Sequence, residues 1–140
     1  MQMKNRSEKA KELFSEGYNC SQCVFVTFAE DYGIERKTAL MLSTSLGGGF
    51  AGTRNICGAV LAIGMVAGLY TGTSTPGDKV GKARNYAYVN SLAEKFENEY
   101  GSIVCKYLKG IEKSDIPVKI RSCKEYIGYC AALLEENKPE

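Results

Sequence analysis

Histidine is absent from the 140-residue sequence, and proline occurs only three times. Histidine is the most common general base in enzymes and a frequent partner of cysteine at zinc sites. Its absence therefore excludes a histidine base and every mixed Cys/His zinc site. An excess of one charge is also lacking, since 18 Lys and Arg residues stand against 16 Asp and Glu residues. A net charge of +2 gives no support for nucleic acid or an anionic membrane as a partner.

A hydrophobic run long enough to cross a membrane is missing as well. The longest, from Ile56 to Tyr70, would span about 22 Å as a helix, less than the roughly 30 Å hydrocarbon core of a bilayer. The start of the chain, MQMKNRSEKAKELF, is charged and amphipathic and has no apolar signal-peptide core. We therefore expect a protein without a membrane span that stays in the cytoplasm, where thiols are kept reduced.

Helical periodicity runs along the whole chain, and no segment shows the alternation typical of a strand. We predict an all-α fold, with one domain over residues 1–140 and six or seven helices around a central apolar helix rich in small residues. Gly33 and Gly101 indicate two helix ends, and TGTSTPGD at 71–78 predicts a turn. The predicted helices cover about 5–16, 19–31, 35–46, 56–70, 79–100, 102–109 and 122–136.

Apolar residues at helical spacing predict which faces are buried. On the third and fifth predicted helices these are Ala39, Leu40, Leu42, Leu46, Val80, Ala83, Ala87, Tyr88, Leu92 and Phe96. Tyrosines are frequent, and a tyrosine-rich face favours a homodimer, which we expect here. The tyrosines that would pair across its interface are Tyr86, Tyr88, Tyr126 and Tyr129.

Six cysteines in a reduced chain indicate a metal site or redox chemistry before structural disulfides. Four of them fall in the first turns of four predicted helices, and these are Cys20, Cys57, Cys105 and Cys123. The predicted N-cap residues of those helices are Asn19, Asn55, Ser102 and Ser122. Gln22 and Glu125, each three residues after its N-cap, would complete two capping boxes.

The first turn of a helix suits a reactive thiol. Its backbone N–H groups have no partner within the helix, and the positive end of the helix dipole lies there. Both effects favour the thiolate, the form that attacks disulfides and binds metals. Four such ends that converge would stabilise a cluster of negative sulfur atoms, and their N–H groups could donate to the sulfurs of an iron–sulfur cluster.

The two remaining cysteines leave alternatives open. Cys23 forms a Cys-x-x-Cys pair with Cys20, in which Cys20 would be the nucleophile and Cys23 the resolving thiol. Packing in the core explains Cys23 equally well, and it is the better explanation for Cys130 in the middle of the last helix.

The glycine-rich segment GGGFAGTR at 47–54 precedes the central helix. It is neither a Walker A loop nor a dinucleotide-binding motif. Its backbone N–H groups, with Arg54, could hold an anion, although a tightly packed loop is the simpler interpretation. Gly49 and Gly58 are candidate cofactor-binding positions, since glycines let the backbone approach a bound cluster or leave Cys57 open to a partner.

The segments NCSQCV at 19–24, CGAVLA at 57–62, GSIVCKYL at 101–108 and SCKEYIGYCAALLEE at 122–136 resemble a known family. This is the C_GCAxxG_C_C family of small redox-active proteins, and the resemblance covers nearly the whole chain. It implies that Cys20, Cys57, Cys105 and Cys123 are the functional thiols, with Cys23 and Cys130 as additions. Ala62 stands where the family motif has its last glycine.

The leading hypothesis is a redox-active protein in which these four cysteines converge. They would bind iron, zinc or an iron–sulfur cluster, which is the favoured version because four thiolates make a tetrahedral ligand set. The competing version is a cycle between thiol and disulfide, with Cys20–Cys57 or Cys105–Cys123 as the exchange pair and a redox partner protein. A non-enzymatic helical binding or scaffold module, with structural zinc or packed cysteines, is the alternative. A third hypothesis is the binding of a small molecule or an anion at the 47–55 loop.

Overall fold

The computed structural model describes residues 5–139, and over this range it contains seven α-helices and no β-strand. The helices are α1 (Arg6–Ser15), α2 (Cys20–Ala29), α3 (Arg36–Ser43), α4 (Gly58–Thr71), α5 (Lys79–Tyr100), α6 (Cys105–Leu108) and α7 (Cys123–Glu136). Short 3₁₀ turns, Glu30–Tyr32 and Thr44–Leu46, follow α2 and α3. The predicted all-α class and number of helices are confirmed. The first four residues and Glu140 of the predicted domain lie outside the described range.

Two apolar helices form the centre of the molecule. α2 packs against α1, α3, α4 and α7, and α4 packs against α2, α5 and α7. Alanines and glycine on α4 let these neighbours approach closely, and Ala59, Ala62 and Ala67 are fully buried. Within residues 5–139, no helix combines the length and hydropathy that crossing a membrane requires.

The predicted buried faces are correct for some helices and wrong for two. On α3 the buried residues are Ala39 and Ser43, whereas Leu42 is 58% exposed, because only one narrow side of this helix faces α2. On α5 Leu92 and Phe96 are buried as predicted, but Val80 is 82% exposed. Ala83 and Ala87 are exposed as well, since only the second half of α5 packs into the core.

Aromatic rings fill the space between α5 and α7. The ring of Phe96 lies 5.7 Å from that of Tyr126, and Tyr100 contacts Tyr126 edge-on at 4.8 Å. Tyr126 is only 2% exposed, so its predicted place at a dimer interface is wrong. Tyr86 is exposed and Tyr129 half-buried, and the homodimer itself stays a prediction.

Candidate functional site

A cavity of about 200 Å³ opens where the N-terminal ends of four helices meet. The four cysteines selected from the sequence all line it, namely Cys20, Cys57, Cys105 and Cys123. The other lining residues are Phe14, Asn19, Gly48, Arg54, Gly58, Leu108, Lys109 and Tyr126. The chain thus brings four thiols from separate segments into one place.

Helix capping explains how the cysteines are positioned. Cys20, Cys105 and Cys123 are the first residues of α2, α6 and α7. Asn19 and Gln22 form the predicted capping box, with reciprocal hydrogen bonds of 3.0 Å between side chain and backbone. At α7 the Ser122 side chain accepts from the N–H of Glu125 as expected. The predicted second capping box is wrong, because the Glu125 carboxylate lies near Arg121 and does not bond back to Ser122.

The predicted caps of α4 and α6 are wrong. Asn55 lies three residues before α4, and Cys57 itself occupies the N-cap position. Val104 caps α6, while the Ser102 hydroxyl accepts from the N–H of Val104 in a turn outside the helix. An isolated antiparallel bridge between Ile56 and Val104 explains both differences, since it keeps these segments extended up to the cysteines.

Cys57 is held by this bridge at the buried end of the cavity. Its N–H donates to the carbonyl of Ile103 at 2.8 Å, and its carbonyl accepts the first helical bond from Leu61 at 2.9 Å. Burial raises the pKa of the Cys57 thiol to about 12, the Cys20 sulfur adds to this, and nearby N–H groups of α4 partly offset it. Cys57 is therefore a neutral thiol at physiological pH.

Cys20 is half-buried and lines the cavity with the other three thiols. Burial raises the pKa of its thiol most, and the sulfurs of Cys123 and Cys105 raise it further. The backbone N–H groups of Gly48 and Ser21 act in the opposite direction. Cys20 in turn raises the pKa of Cys57, so the thiol of Cys20 interacts electrostatically with the other cavity thiols.

A tightly folded loop brings Arg54 to Cys105. Arg54 has a left-handed backbone with φ of 62°, and its N–H donates to Gly48 at 3.0 Å. The carbonyl of Asn55 accepts from the N–H of Cys105 at 2.5 Å, which joins the loop to α6. The Arg54 guanidinium then donates to the Cys105 sulfur at 3.8 Å. A cation thus faces a buried thiol that is 7% exposed.

Lys109 is the cation that contacts Cys123. Its ammonium donates to the Cys123 sulfur at 3.2 Å, and Cys123 is half-buried in the lining of the cavity. The Tyr126 hydroxyl accepts from the N–H of Arg121 at 2.8 Å and lies 2.9 Å from the Leu108 carbonyl oxygen. Tyr126 therefore links Leu108, which precedes Lys109, to Arg121, which lies two residues before Cys123.

Cys23 and Cys130 do not line the cavity. Both are fully buried in the core, and the Cys23 thiol contacts the carbonyl of Tyr18 at 3.6 Å. Burial raises the pKa of Cys23 to about 12 and that of Cys130 far above its ordinary value. Both positions fit a packing role. Cys23 lies one turn further into α2 than Cys20, so it would not contact a substrate in the cavity.

The donor set of four thiols suits a soft metal, but the arrangement does not fit a single ion. Among residues 5–139, no group of three or more Cys, Asp or Glu side chains lies close enough together to hold one metal ion. The thiols surround a space instead of meeting at a point.

Several cavity residues were missed by the sequence reasoning, although some carried a signal. Lys109 lies four residues after Cys105 and Tyr126 three residues after Cys123, spacings that place side chains on one helix face. Phe14 and Leu108 carried no such signal, since they were indistinguishable from core residues. Only some residues of the proposed anion-binding loop reach the cavity. Arg54 and Gly48 line it, whereas Gly49 packs against Cys105 and is not part of the lining.

The model of the family described as "Putative redox-active protein (C_GCAxxG_C_C)" matches residues 18–137. The match includes all four cavity cysteines and every cavity residue except Phe14. No curated protein and no solved structure matches the chain.

Proposed function

Since the chain belongs to the C_GCAxxG_C_C family of redox-active proteins, we propose that it transfers electrons by thiol–disulfide exchange at the cavity. Cys123 is the entry thiol and Cys20 the first resolving thiol. Cys57 and Cys105 line the same cavity and are available for a second exchange. The oxidant is a disulfide, carried by a partner protein or by a small molecule.

The observation that carries this proposal is the contrast between the two half-buried thiols. Lys109 donates to the sulfur of Cys123, so an ammonium group lies beside this thiol at the cavity. Cys20 is also half-buried, but burial raises the pKa of its thiol. The charge of the Cys123 sulfur reaches Cys20, so the two thiols are close enough to interact across the cavity.

The exchange proceeds in two balanced steps. The Cys123 thiolate attacks one sulfur of the substrate disulfide, the S–S bond breaks, and the first substrate thiolate leaves. Cys20 then loses its proton and attacks the sulfur of Cys123, and the second substrate thiolate leaves. Two protein thiols lose two electrons and two protons, and the substrate disulfide becomes two thiols.

An anaerobic titration in glutathione redox buffers tests the proposal. The wild-type chain should lose two free thiols reversibly, as counted by alkylation and intact mass, with a two-electron dependence on potential. Cys123→Ser should abolish this loss, whereas Cys130→Ala, a buried cysteine outside the cavity, should retain it. A wild-type chain that keeps six thiols across the range would overturn the proposal.

A metal centre is the second candidate function, favoured by four thiols and two cations around one space. Because a single ion does not fit the present arrangement, such a centre would be a larger iron–sulfur group that fills the cavity. Cys20, Cys57, Cys105 and Cys123 would be its ligands. Such a group would supply one-electron transfer.

Anaerobic reconstitution with iron and sulfide tests this candidate. The metal version predicts a stable chromophore and about one cluster per chain after desalting, both lost in Cys57→Ser. A colourless protein that retains less than about one metal per chain would contradict it. If Cys57→Ser lowers stability while the wild type shows neither chromophore nor reversible oxidation, the scaffold alternative gains support.

A further inference from the structure

The two cations of the cavity have no acidic counterpart there. Arg54 and Lys109 contact the sulfurs of Cys105 and Cys123, and no Asp or Glu is among the residues that line the cavity. The ion pairs of the described chain use other basic residues, namely Arg6, Lys9, Arg36, Lys106, Lys119 and Arg121. Two positive groups therefore face the cavity, and no carboxylate among residues 5–139 forms an ion pair with either of them.

The backbone of Arg54 is fixed in a costly conformation. Its φ of 62° lies in the left-handed region, which is unfavourable for a residue with a side chain. The conformation persists because the N–H donates to Gly48 and the carbonyl accepts from Lys106 at 3.1 Å. Strain of this kind collects at functional sites, and here it directs a guanidinium towards a thiol instead of towards solvent.

The segment that carries two of the thiols is basic. Residues 104–124 contain six basic residues and two acidic ones, in a chain whose net charge is only +2. Of these basic residues Lys109 lines the cavity, where it contacts Cys123. A positive field around a cleft raises the local concentration of anions and their rate of arrival.

The size of the cavity restricts what can enter. Its volume of about 200 Å³ is below the roughly 300–1,000 Å³ of sites for drug-sized ligands. Phe14 and Leu108 supply apolar wall, which suits the carbon chain of a small thiol. A folded protein segment would not fit beside the buried thiols Cys57 and Cys105.

We propose that the substrate of the thiol exchange is a small anionic disulfide, of the class formed by carboxylate-bearing thiols, whose carboxylates are bound by Arg54 and Lys109. This inference rests on the proposed thiol–disulfide function. The exchange is the one described above, with the small disulfide reduced to two carboxylate-bearing thiols and Cys123 and Cys20 oxidised to a disulfide.

Three small disulfides of different charge test the inference with the reduced full-length chain. The probes are the dicarboxylate dithiodiglycolate, the neutral 2-hydroxyethyl disulfide and the dicationic cystamine. Each rate of protein oxidation is divided by the rate at which the same probe oxidises dithiothreitol, which removes intrinsic differences in reactivity. The anionic probe should be preferred over the neutral one by at least about 10-fold at low salt, and the preference should shrink as ionic strength rises.

Charge-removing variants identify the groups responsible. Arg54→Gln and Lys109→Gln should each reduce the ratio of anionic to neutral rates several-fold. Lys113→Gln removes the same charge from the basic segment outside the cavity and should reduce the ratio less. The ratio is used because Lys109→Gln also changes the reactivity of Cys123 towards every probe.

The outcomes separate the two proposals. Equal normalised rates for all three probes, with oxidation of two thiols, would overturn the anionic substrate and leave the redox function standing. No oxidation of the wild-type chain by any probe would overturn the redox function itself. Lys113→Gln and Arg54→Gln could also lower the ratio of anionic to neutral rates equally. That result would assign the preference to the overall positive charge of the segment and would overturn binding by Arg54 and Lys109.

Discussion

The sulfur of Cys20 packs directly against Gly58, the first residue of α4, at the point where a Cβ atom would otherwise lie. The same position faces the carbonyl oxygen of Leu46, which would be 2.8 Å from that atom. A glycine next to Cys57 therefore lets the start of α2 and the start of α4 touch. This contact brings the thiols of Cys20 and Cys57 to one cavity.

Gly58→Ala should disturb this contact. Alanine normally favours a helix, but here its methyl group would collide with a thiol and a backbone carbonyl. We expect a loss of about 1–3 kcal/mol in the free energy of unfolding, measured with urea, as for other overpacked core sites. Exchange with small disulfides should change as well, because Cys20 is displaced.

Gly64→Ala is the matched control on the same helix. Nothing lies within 4 Å of a Cβ at Gly64, so alanine should stabilise the chain by about 0.5–1 kcal/mol. If both substitutions shifted the stability in the same direction and by the same amount, the contact between Cys20 and Gly58 would be contradicted.

Gly49 packs against both the backbone of Arg54 and the side chain of Cys105. A Cβ at Gly49 would lie 2.6 Å from the Arg54 Cα and 2.7 Å from the Cys105 Cβ. Gly49→Ala should therefore destabilise the chain by about 1–3 kcal/mol more than Gly52→Ala. Both glycines have left-handed backbones, but nothing lies within 4 Å of a Cβ at Gly52. Equal urea midpoints for the two variants would show that Gly49 is not packed in this way.

Alkylation under native conditions should follow the exposure of the thiols. Cys123 is half-buried beside Lys109 and should react first, followed by Cys20, whose pKa is raised by burial. Cys23 and Cys130 have no exposed surface and should react at least about 10-fold more slowly, only when the fold opens. Time-resolved peptide mass spectrometry gives the order. Early modification of Cys23 or Cys130 would contradict the described burial.

Stability should decline in alkali because buried thiols resist ionisation. The folded pKa of Cys57 is about 12 and its ordinary value is 9.0, so the folded state holds the proton that the unfolded state releases. This contribution is complete below about pH 9 and is lost as the pH rises towards 12. Urea unfolding of the reduced protein between about pH 8 and about pH 10.5 should show the decline.

Substitution of Cys57 measures how much this thiol contributes to the loss of unfolding free energy in alkali. Cys57→Ala should reduce the slope by up to about 1.4 kcal/mol per pH unit above pH 9, since one titrating group is lost. Thr38→Ala, an exposed and non-titrating position, should leave the slope unchanged. An equal slope in wild type and Cys57→Ala would mean that this thiol is not buried in the folded chain.

Much of the fold follows from local patterns in the sequence. The capping box of Asn19 and Gln22 and the cap at Ser122 set the starts of α2 and α7. Gly101, with φ of 95°, ends α5 where predicted. Such features act over one helical turn, so they can be recognised without knowledge of the tertiary structure.

The errors arise where distant segments decide the outcome. Asn55 was predicted to cap α4, but the bridge between Ile56 and Val104 extends the chain as far as Cys57. Val80 fits the apolar pattern of α5, yet the core reaches only the second half of that helix. Neither the bridge nor the limit of the core is encoded within one window of sequence.

The candidate site was likewise predictable where local patterns decide it and not where distant segments meet. The four thiols could be selected from the sequence because each is tied to a helix start. Their arrangement around a cavity could not, since it depends on the contact of Cys20 with Gly58 and on the left-handed loop that carries Arg54. The contact of Lys109 with Cys123 joins residues on opposite sides of an irregular segment, which no periodicity predicts.

The most direct test of the account is a map of the disulfide formed when the dilute, reduced chain is oxidised with diamide under native conditions. Free thiols are then blocked, and the chain is digested and analysed by mass spectrometry. The account predicts a disulfide within one chain between Cys20 and Cys123 as the main product. Disulfides that involve Cys23 or Cys130, that join only separate chains, or that fail to form would contradict it.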